Sequence, residues 1–146
     1  MGLPERIAAV VAIDPAAPAV EFGGRWRTWG DLGATIDRVA ELVPAPGTQV
    51  GVILRNRPAS IGLVLGVLRA GGCVVTVNPQ RGAERTREDL AALDLPFVAG
   101  EPADVDSLAG DGLRATRLTT DDVGGPLAVE PGPGGREVDP VGRVLD

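Results

Sequence analysis

The feature that most constrains the fold is an alternation of short uncharged runs with longer helix-forming segments. Residues 50–54, 73–77 and 96–99 carry no charged side chain, and the segments 59–70 and 83–93 separate them. Uncharged runs of this length are typical of strands that are buried on both faces of a parallel sheet. Strand–helix–strand units with short loops form right-handed crossovers. We therefore predict an α/β fold, with a parallel sheet of three to four strands and helices on both faces.

A helix and a β-hairpin are predicted before the first of these strands. Residues 3–11 have the apolar spacing of a short helix, which Pro15 and Pro18 end. Residues 19–22 and 25–29 flank Gly23 and Gly24. Two glycines supply the positive φ angles of a tight two-residue turn, so these segments are predicted to form an N-terminal hairpin.

The next segment is predicted to be an amphipathic helix. Thr28 or Asp31 is expected to cap its N-terminus, and the residues from Pro44 to Gly47 end it. Its apolar residues recur at the spacing of one helical face. They are Leu32, Ile36, Val39, Ala40 and Val43.

The helix predicted over residues 59–70 is apolar on nearly all sides. We expect neighbours to cover both of its faces, because an all-round apolar helix is buried. Gly62 and Gly66 lie four positions apart and would let a neighbouring backbone approach closely.

The apolar periodicity weakens after Gly100. Residues 115–118 are predicted to form one more strand, and the chain from Asp121 onward is rich in glycine, proline and acid, which favours a linker or flexible tail. Residues 132–136 contain three glycines but lack the ending of a phosphate loop, so they are assigned to the linker. The predicted organisation is one α/β unit over residues 1–120 and a tail over 121–146.

Composition excludes several classes of function. The 146 residues carry a net charge of -6, and all 14 basic residues are arginines. An acidic chain without a basic run disfavours a nucleic-acid partner. The sequence contains neither histidine nor lysine, so it lacks the side chain that titrates near neutrality and the lysine of phosphate loops. We predict no catalytic residue.

The acids and the single thiol are expected to be inert. Cys73 lies in a predicted buried strand with no histidine to activate it. We expect Asp104, Asp106, Asp121 and Asp122 to face water, and we predict no metal site.

Location is predicted from the cysteine count and from hydropathy. One cysteine forms no internal disulfide, which suits the reducing cytoplasm. No export segment is visible at the N-terminus, and the longest apolar run, residues 61–68, is far shorter than the roughly 20 residues that span a bilayer. A cytoplasmic protein with no membrane span is the prediction.

Two segments carry a resemblance to a known family. Residues 27–32, with the sequence RTWGDL, resemble the first core motif of adenylating enzymes, T-[YW]-x-[ED]-L. Residues 67–79 resemble the second, L-[KR]-A-G-[AG]-x-x-[VT]-P-[ILV]-[ND]-P, except that Thr76 stands at the proline. The chain thus resembles the N-terminal part of an adenylate-forming acid–CoA ligase, in the superfamily of acyl-CoA synthetases and nonribosomal-peptide adenylation domains.

The resemblance implies a two-step reaction. A carboxylate attacks the α-phosphate of MgATP to form an acyl-adenylate, and a thiol such as CoA then takes the acyl group. The family's T-S-G-T-T-G-x-P-K phosphate loop and its catalytic lysine have no counterpart in this sequence. We therefore expect the chain alone to be inactive and to bind no cofactor, although ATP, Mg and CoA are implied for the full-length family.

The motif residues are expected to be mainly structural. Trp29, Leu32, Leu68 and Gly71 are predicted to serve packing and turns. Arg81, just after the Asn-Pro pair, is a candidate for binding the nucleotide end of CoA, and a solvated loop arginine is the alternative.

Three functional hypotheses follow. The first is the N-terminal subregion of a ligase, partnered by the remainder of the large lobe or by self-association. The second is a stand-alone binding module that pairs with a separate ligase lobe; the neighbouring reading frame would distinguish these two. The third, a flavodoxin-like nucleotide binder, is disfavoured because the turn over residues 55–58 contains no glycine.

Overall fold

A computed structural model describes residues 1–109 and 113–132 of the chain. The helices are α1 (Leu3–Val11), α2 (Trp29–Leu42), α3 (Pro58–Arg69), α4 (Ala83–Leu93) and α5 (Pro102–Ala109), with a short 3-10 turn at Pro79–Arg81. The strands are β1 (Pro18–Phe22), β2 (Arg25–Thr28), β3 (Gln49–Ile53), β4 (Cys73–Val77), β5 (Phe97–Gly100), β6 (Thr116–Thr119) and β7 (Ala128–Glu130).

The strands form a main sheet and a separate hairpin. The order in the main sheet is β4-β3-β5-β6-β7. The first four strands are parallel, and β7 runs antiparallel to β6. The hairpin β1–β2 is antiparallel. The predicted α/β class, the mostly parallel sheet and the N-terminal hairpin are confirmed.

The helices cover both faces of the sheet. On one face, α2 and α3 contribute Val39, Leu42, Leu63 and Val67 to a core that includes Phe97 of β5. On the other face, a second core contains residues of α4 and α5 together with the alternate side chains of the strands. These are Ile53, Val77, Leu90, Val98, Val105, Leu108, Leu113 and Ala115.

The close approach predicted at the two glycines of α3 is made by α2. A Cβ on Gly66 would lie 2.5 Å from Cβ of Val39, and one on Gly62 would lie 2.9 Å from Cγ2 of Thr35. Within the described residues α3 is covered by the sheet, by α2 and by α1, while Ile61 remains 40% exposed. The expectation that both faces of α3 are covered is therefore confirmed.

The turn and the cap before α2 follow from local sequence. Gly23 and Gly24 have φ angles of 62° and 76°, as a two-residue hairpin turn requires. Thr28 accepts a hydrogen bond from the Asp31 backbone N–H at 3.1 Å, and the Asp31 carboxylate accepts one from the Thr28 backbone N–H at 3.1 Å. Both predicted caps thus act together as a capping box.

Strand β4 corrects one prediction. It is the edge strand of the main sheet formed by the described residues, and it pairs only with β3 there. Cys73 and Thr76 are exposed as a result. The predictions that this strand and the Cys73 thiol are buried were wrong, because a run of β-branched residues does not reveal which strand lies at the edge of a sheet.

The chain after Gly100 contains more regular structure than the sequence analysis predicted. Helix α5 was not predicted, and β7 lies within the segment assigned to the tail. Residues 121–132 therefore pack against the α/β unit. The remainder of the predicted tail, residues 133–146, which includes most of the glycine-rich motif, lies outside the described residues.

Helix length bears on the membrane prediction. Across residues 1–109 and 113–132, no helix is long and apolar enough to cross a bilayer.

Candidate functional site

The strand order places one topological switch point at the carboxyl ends of the parallel strands. The chain leaves β3 through α3 toward β4, and it then crosses back through α4 to β5 on the other side of β3. Neighbouring strands whose connections leave in opposite directions form a topological switch point, where open α/β sheets bind ligands. In this chain the switch point lies between β3 and β5.

Two ion pairs join the loops at this switch point. Nε of Arg55 donates to Oδ2 of Asp104 at 2.8 Å, and Nη2 donates to Oδ1 at 2.8 Å. Beside this bidentate pair, Nη1 of Arg57 donates to Oε1 of Glu101 at 3.0 Å. The loop after β3 and the first turn of α5 are held together by charge, so these two arginines are already neutralised.

The bidentate pair also shifts the pKa of both partners. The hydrogen bonds from Arg55 lower the pKa of Asp104, against the opposing effect of burial. The same hydrogen bonds raise the pKa of Arg55. Asp104 was expected to face water, and this was wrong. Its partner lies 49 positions earlier in the chain, which no local pattern reveals.

Arg81, the predicted CoA-binding residue, lies at the end of the 3-10 turn that follows β4. Its side chain is 48% exposed, and Nη1 donates to Oδ2 of Asp89 at 2.9 Å. An open depression of about 480 Å³ surrounds it at the start of α4. The depression carries two cations and two acids, and its lining residues are Arg81, Gly82, Ala83, Glu84, Arg85 and Glu88.

A second polar cluster joins the first motif segment to residues 120–127, the segment between β6 and β7. Arg27 is buried, with 7% of its surface exposed. Its Nη2 donates to Oδ2 of Asp122 at 2.7 Å, and its Nε lies 3.0 Å from the same oxygen. Nη1 of Arg27 donates to the carbonyl oxygens of Phe22 and Arg25 at 2.7 and 2.9 Å. The guanidinium thereby links the hairpin to Asp122, which lies 95 positions further along the chain.

Asp122 was expected to face water, and the structure corrects this. Two positions further along, the backbone N–H of Gly124 donates to Oγ1 of Thr35 at 2.9 Å, which holds this segment on α2. Trp29 and Leu68 pack against the core around the buried Leu32, and Gly71 turns the chain with a φ of 76°. The structural role predicted for the motif residues agrees with these contacts.

Both motif segments also line one groove outside the sheet. The groove has a volume of about 530 Å³ between α1, α2 and the end of α3. Small residues form most of its wall, with Gly30 from the first motif segment and Arg69 from the second. Nε of Arg69 is buried and has no hydrogen-bond partner among the described residues. The groove is lined by one cation and one acid, Arg69 and Asp37.

The charged side chains of these clusters pair with one another. In the part of the chain that the structure describes, no three His, Cys, Asp or Glu side chains are arranged to hold a metal ion. The sequence offers neither histidine nor lysine as a base or nucleophile. The described contacts of these residues are packing, helix capping and ion pairing.

Comparison with known proteins decides the family. The family described as AMP-binding enzyme matches residues 7–130, which is most of the chain. The chain belongs to this family. It is 28% identical over 106 residues to the medium/long-chain-fatty-acid–CoA ligase FadD6 of Mycobacterium tuberculosis, covering 70% of this chain and 18% of that protein.

Nonribosomal peptide synthetases are similar to the same degree. The synthetase vlms of Lecanicillium sp is 32% identical over 103 residues, covering 68% of this chain and 1% of its own length. Among solved structures, the synthetase FmoA3 bound to alpha-methyl-L-serine-AMP has the same fold with a TM-score of 0.70 and 24% identity, over 88% of this chain and 15% of that chain. The chain spans no more than about a fifth of these relatives.

Proposed function

We propose that this chain forms the acyl- and CoA-facing scaffold of an acid–CoA ligase of the adenylate-forming type, and that other residues of the enzyme carry out the phosphoryl chemistry. The observation that carries the proposal is the use of the motif residues. Thr28 and Asp31 cap a helix, Arg27 binds Asp122, and Gly71 turns the chain. Each stabilises the fold and leaves no group free to react.

The chain alone is expected to form no acyl-adenylate. Attack of a carboxylate on the α-phosphate of ATP needs cations and N–H donors aimed at the developing charge. The two arginines in the loop after β3, Arg55 and Arg57, are each bound to a carboxylate. No lysine is present in the sequence to supply another charge.

ATP–pyrophosphate exchange tests this part of the proposal. Purified chain with MgATP and a panel of fatty and amino acids should give the exchange of buffer alone. Exchange above that background, abolished by a substitution within this chain, would contradict the proposal.

The coding region downstream of Asp146 provides the positive test. If the reading frame continues into a T-S-G-T-T-G-type loop, the complete polypeptide should catalyse exchange with a carboxylic acid. If a separate neighbouring frame encodes that loop, the second hypothesis, a binding module that pairs with another lobe, is favoured, and the mixture of the two chains should become active.

The proposal also specifies the acceptor of the acyl group, which is the thiol of CoA. Arg81 and Arg85 flank the open depression at the start of α4, and a guanidinium binds phosphate well. In the complete ligase, Arg81→Gln should raise the KM for CoA by about tenfold with kcat unchanged, since it removes binding common to ground and transition states. The matched control is Arg38→Gln, which breaks an exposed ion pair with Glu41 on α2.

A nonribosomal-peptide type of adenylation domain is the second candidate. The similarity to vlms favours it as much as the similarity to FadD6 favours a CoA ligase. The exchange assay on the complete polypeptide distinguishes them, because a preference for amino acids over fatty acids would replace the CoA-ligase assignment.

A further inference from the structure

The outer side of edge strand β4 presents unpaired backbone groups. The Cys73 N–H donates to the Thr48 carbonyl at 2.8 Å, and the Val77 carbonyl accepts from the Leu54 N–H at 3.0 Å. Backbone groups alternate in direction along a strand, so the odd-numbered residues of β4 point their N–H and C=O toward β3. The even-numbered residues, Val74 and Thr76, point theirs away from it.

Nothing within residues 1–109 and 113–132 pairs with this outer side. Natural sheets protect an exposed edge with charged side chains, proline or a bulge. Strand β4 has the sequence CVVTV, with no charge and no proline, and its pairing with β3 is regular over all five residues. The edge therefore remains competent to pair with another strand.

Position 76 is the point at which this chain departs from the motif that it otherwise follows. The motif has proline there, whereas this chain has the exposed Thr76. Because the N–H of residue 76 points outward, proline would remove an edge donor without breaking a bond to β3. Threonine restores that donor, so this edge carries one hydrogen-bond donor that the motif's proline would lack.

We propose that β4 pairs antiparallel with β4 of a second copy of this chain, with the two-fold axis passing between the two Val75 residues. In this register Val74 lies opposite Thr76 of the second copy, and all outward N–H and C=O groups of both residues are used. The inference is independent of the proposed ligase function.

A second copy fits this edge because the edge is complementary to itself. A two-fold interface requires one surface to match its own image, and the Val74–Thr76 pair repeats on both sides of the axis. The strand has no charge, so no like charges meet across the axis. The pairing would join two five-stranded sheets into one continuous sheet.

Cysteine crosslinking tests the register directly. Directly opposed residues of a non-hydrogen-bonded pair lie about 4.5 Å apart at Cα, within the range of a disulfide. The variant Cys73→Ser/Val75→Cys should therefore form a disulfide dimer on mild oxidation. The native Cys73 is the matched control. In the proposed register the two Cys73 residues are separated by four positions, or roughly 13 Å, and should crosslink poorly.

Sedimentation equilibrium over a concentration series tests the edge itself. Native chain should dimerise, and Thr76→Pro should weaken the dimer by about tenfold or more because it removes a donor from both copies. Thr76→Lys, which adds the charge of a protected edge, should act in the same direction and covers the case in which the proline variant misfolds. The far-ultraviolet circular dichroism of each variant should match that of the native chain.

Three results would overturn the proposal. They are a native chain that stays monomeric, a folded Thr76→Pro or Thr76→Lys variant that dimerises as well as the native chain, and crosslinking of Cys73 as fast as that of the introduced cysteine. The first would leave the edge to a strand of a different polypeptide segment, and the third would place the contact in another register.

Discussion

The buried ion pair between Arg27 and Asp122 gives a quantitative prediction. The Arg27 side chain is 9% exposed and that of Asp122 is 27% exposed. Asp122→Ala would leave the guanidinium buried, and its remaining partners among the described residues would be the carbonyl oxygens of Phe22 and Arg25. Removing one partner of a buried pair costs about 3–5 kcal/mol. Water reaches the carboxylate in part, so we expect a loss at the lower end, about 3 kcal/mol.

Urea denaturation followed by circular dichroism measures this loss. For a chain of this size the loss corresponds to a fall in Tm of roughly 6–12 °C. The control is Asp121→Ala, which removes the adjacent exposed carboxylate and should change the free energy of unfolding by less than about 0.5 kcal/mol. The double variant Arg27→Met/Asp122→Ala should be more stable than Asp122→Ala, because it also removes the uncompensated charge.

Equal stabilities of the Asp121→Ala and Asp122→Ala variants would contradict the predicted role of the ion pair. A double variant that loses as much stability as Arg27→Met and Asp122→Ala lose together would contradict it as well, since the two residues would then act independently. Either result would mean that the hairpin is held by apolar packing and that the ion pair contributes nothing measurable.

Two further predictions concern the Arg55–Asp104 pair and the helix contact. Arg55 lowers the pKa of Asp104, so the pair stabilises the fold above the unfolded pKa of about 3.9, and this stabilisation is lost as pH falls through the lower folded pKa. Arg55→Gln should therefore make the free energy of unfolding less dependent on pH in this acid range. An unchanged pH dependence would contradict the prediction. Gly66→Ala places a Cβ 2.5 Å from that of Val39 and should cost about 1–3 kcal/mol in urea denaturation, whereas Ser107→Ala on the exposed side of α5 should be nearly neutral.

Local sequence was sufficient for much of the architecture. The two glycines of the hairpin, the Thr28 and Asp31 cap and the uncharged strands each express a preference of a few neighbouring residues. Element type and order followed from these preferences, and the two motif segments indicated the family that the match over residues 7–130 shows. Helix α5 was missed because an eight-residue helix with two buried apolar side chains has little periodicity.

The tertiary structure alone decided which strand lies at the edge and which charges meet. Cys73 and Thr76 are exposed because β4 has one neighbour among the described strands, and strand order depends on how crossovers pack. Arg27 and Arg55 find carboxylates 95 and 49 positions away. Each acid lies in a polar stretch that would suit a solvated loop equally well, so only the packing that buries its arginine selects the partner.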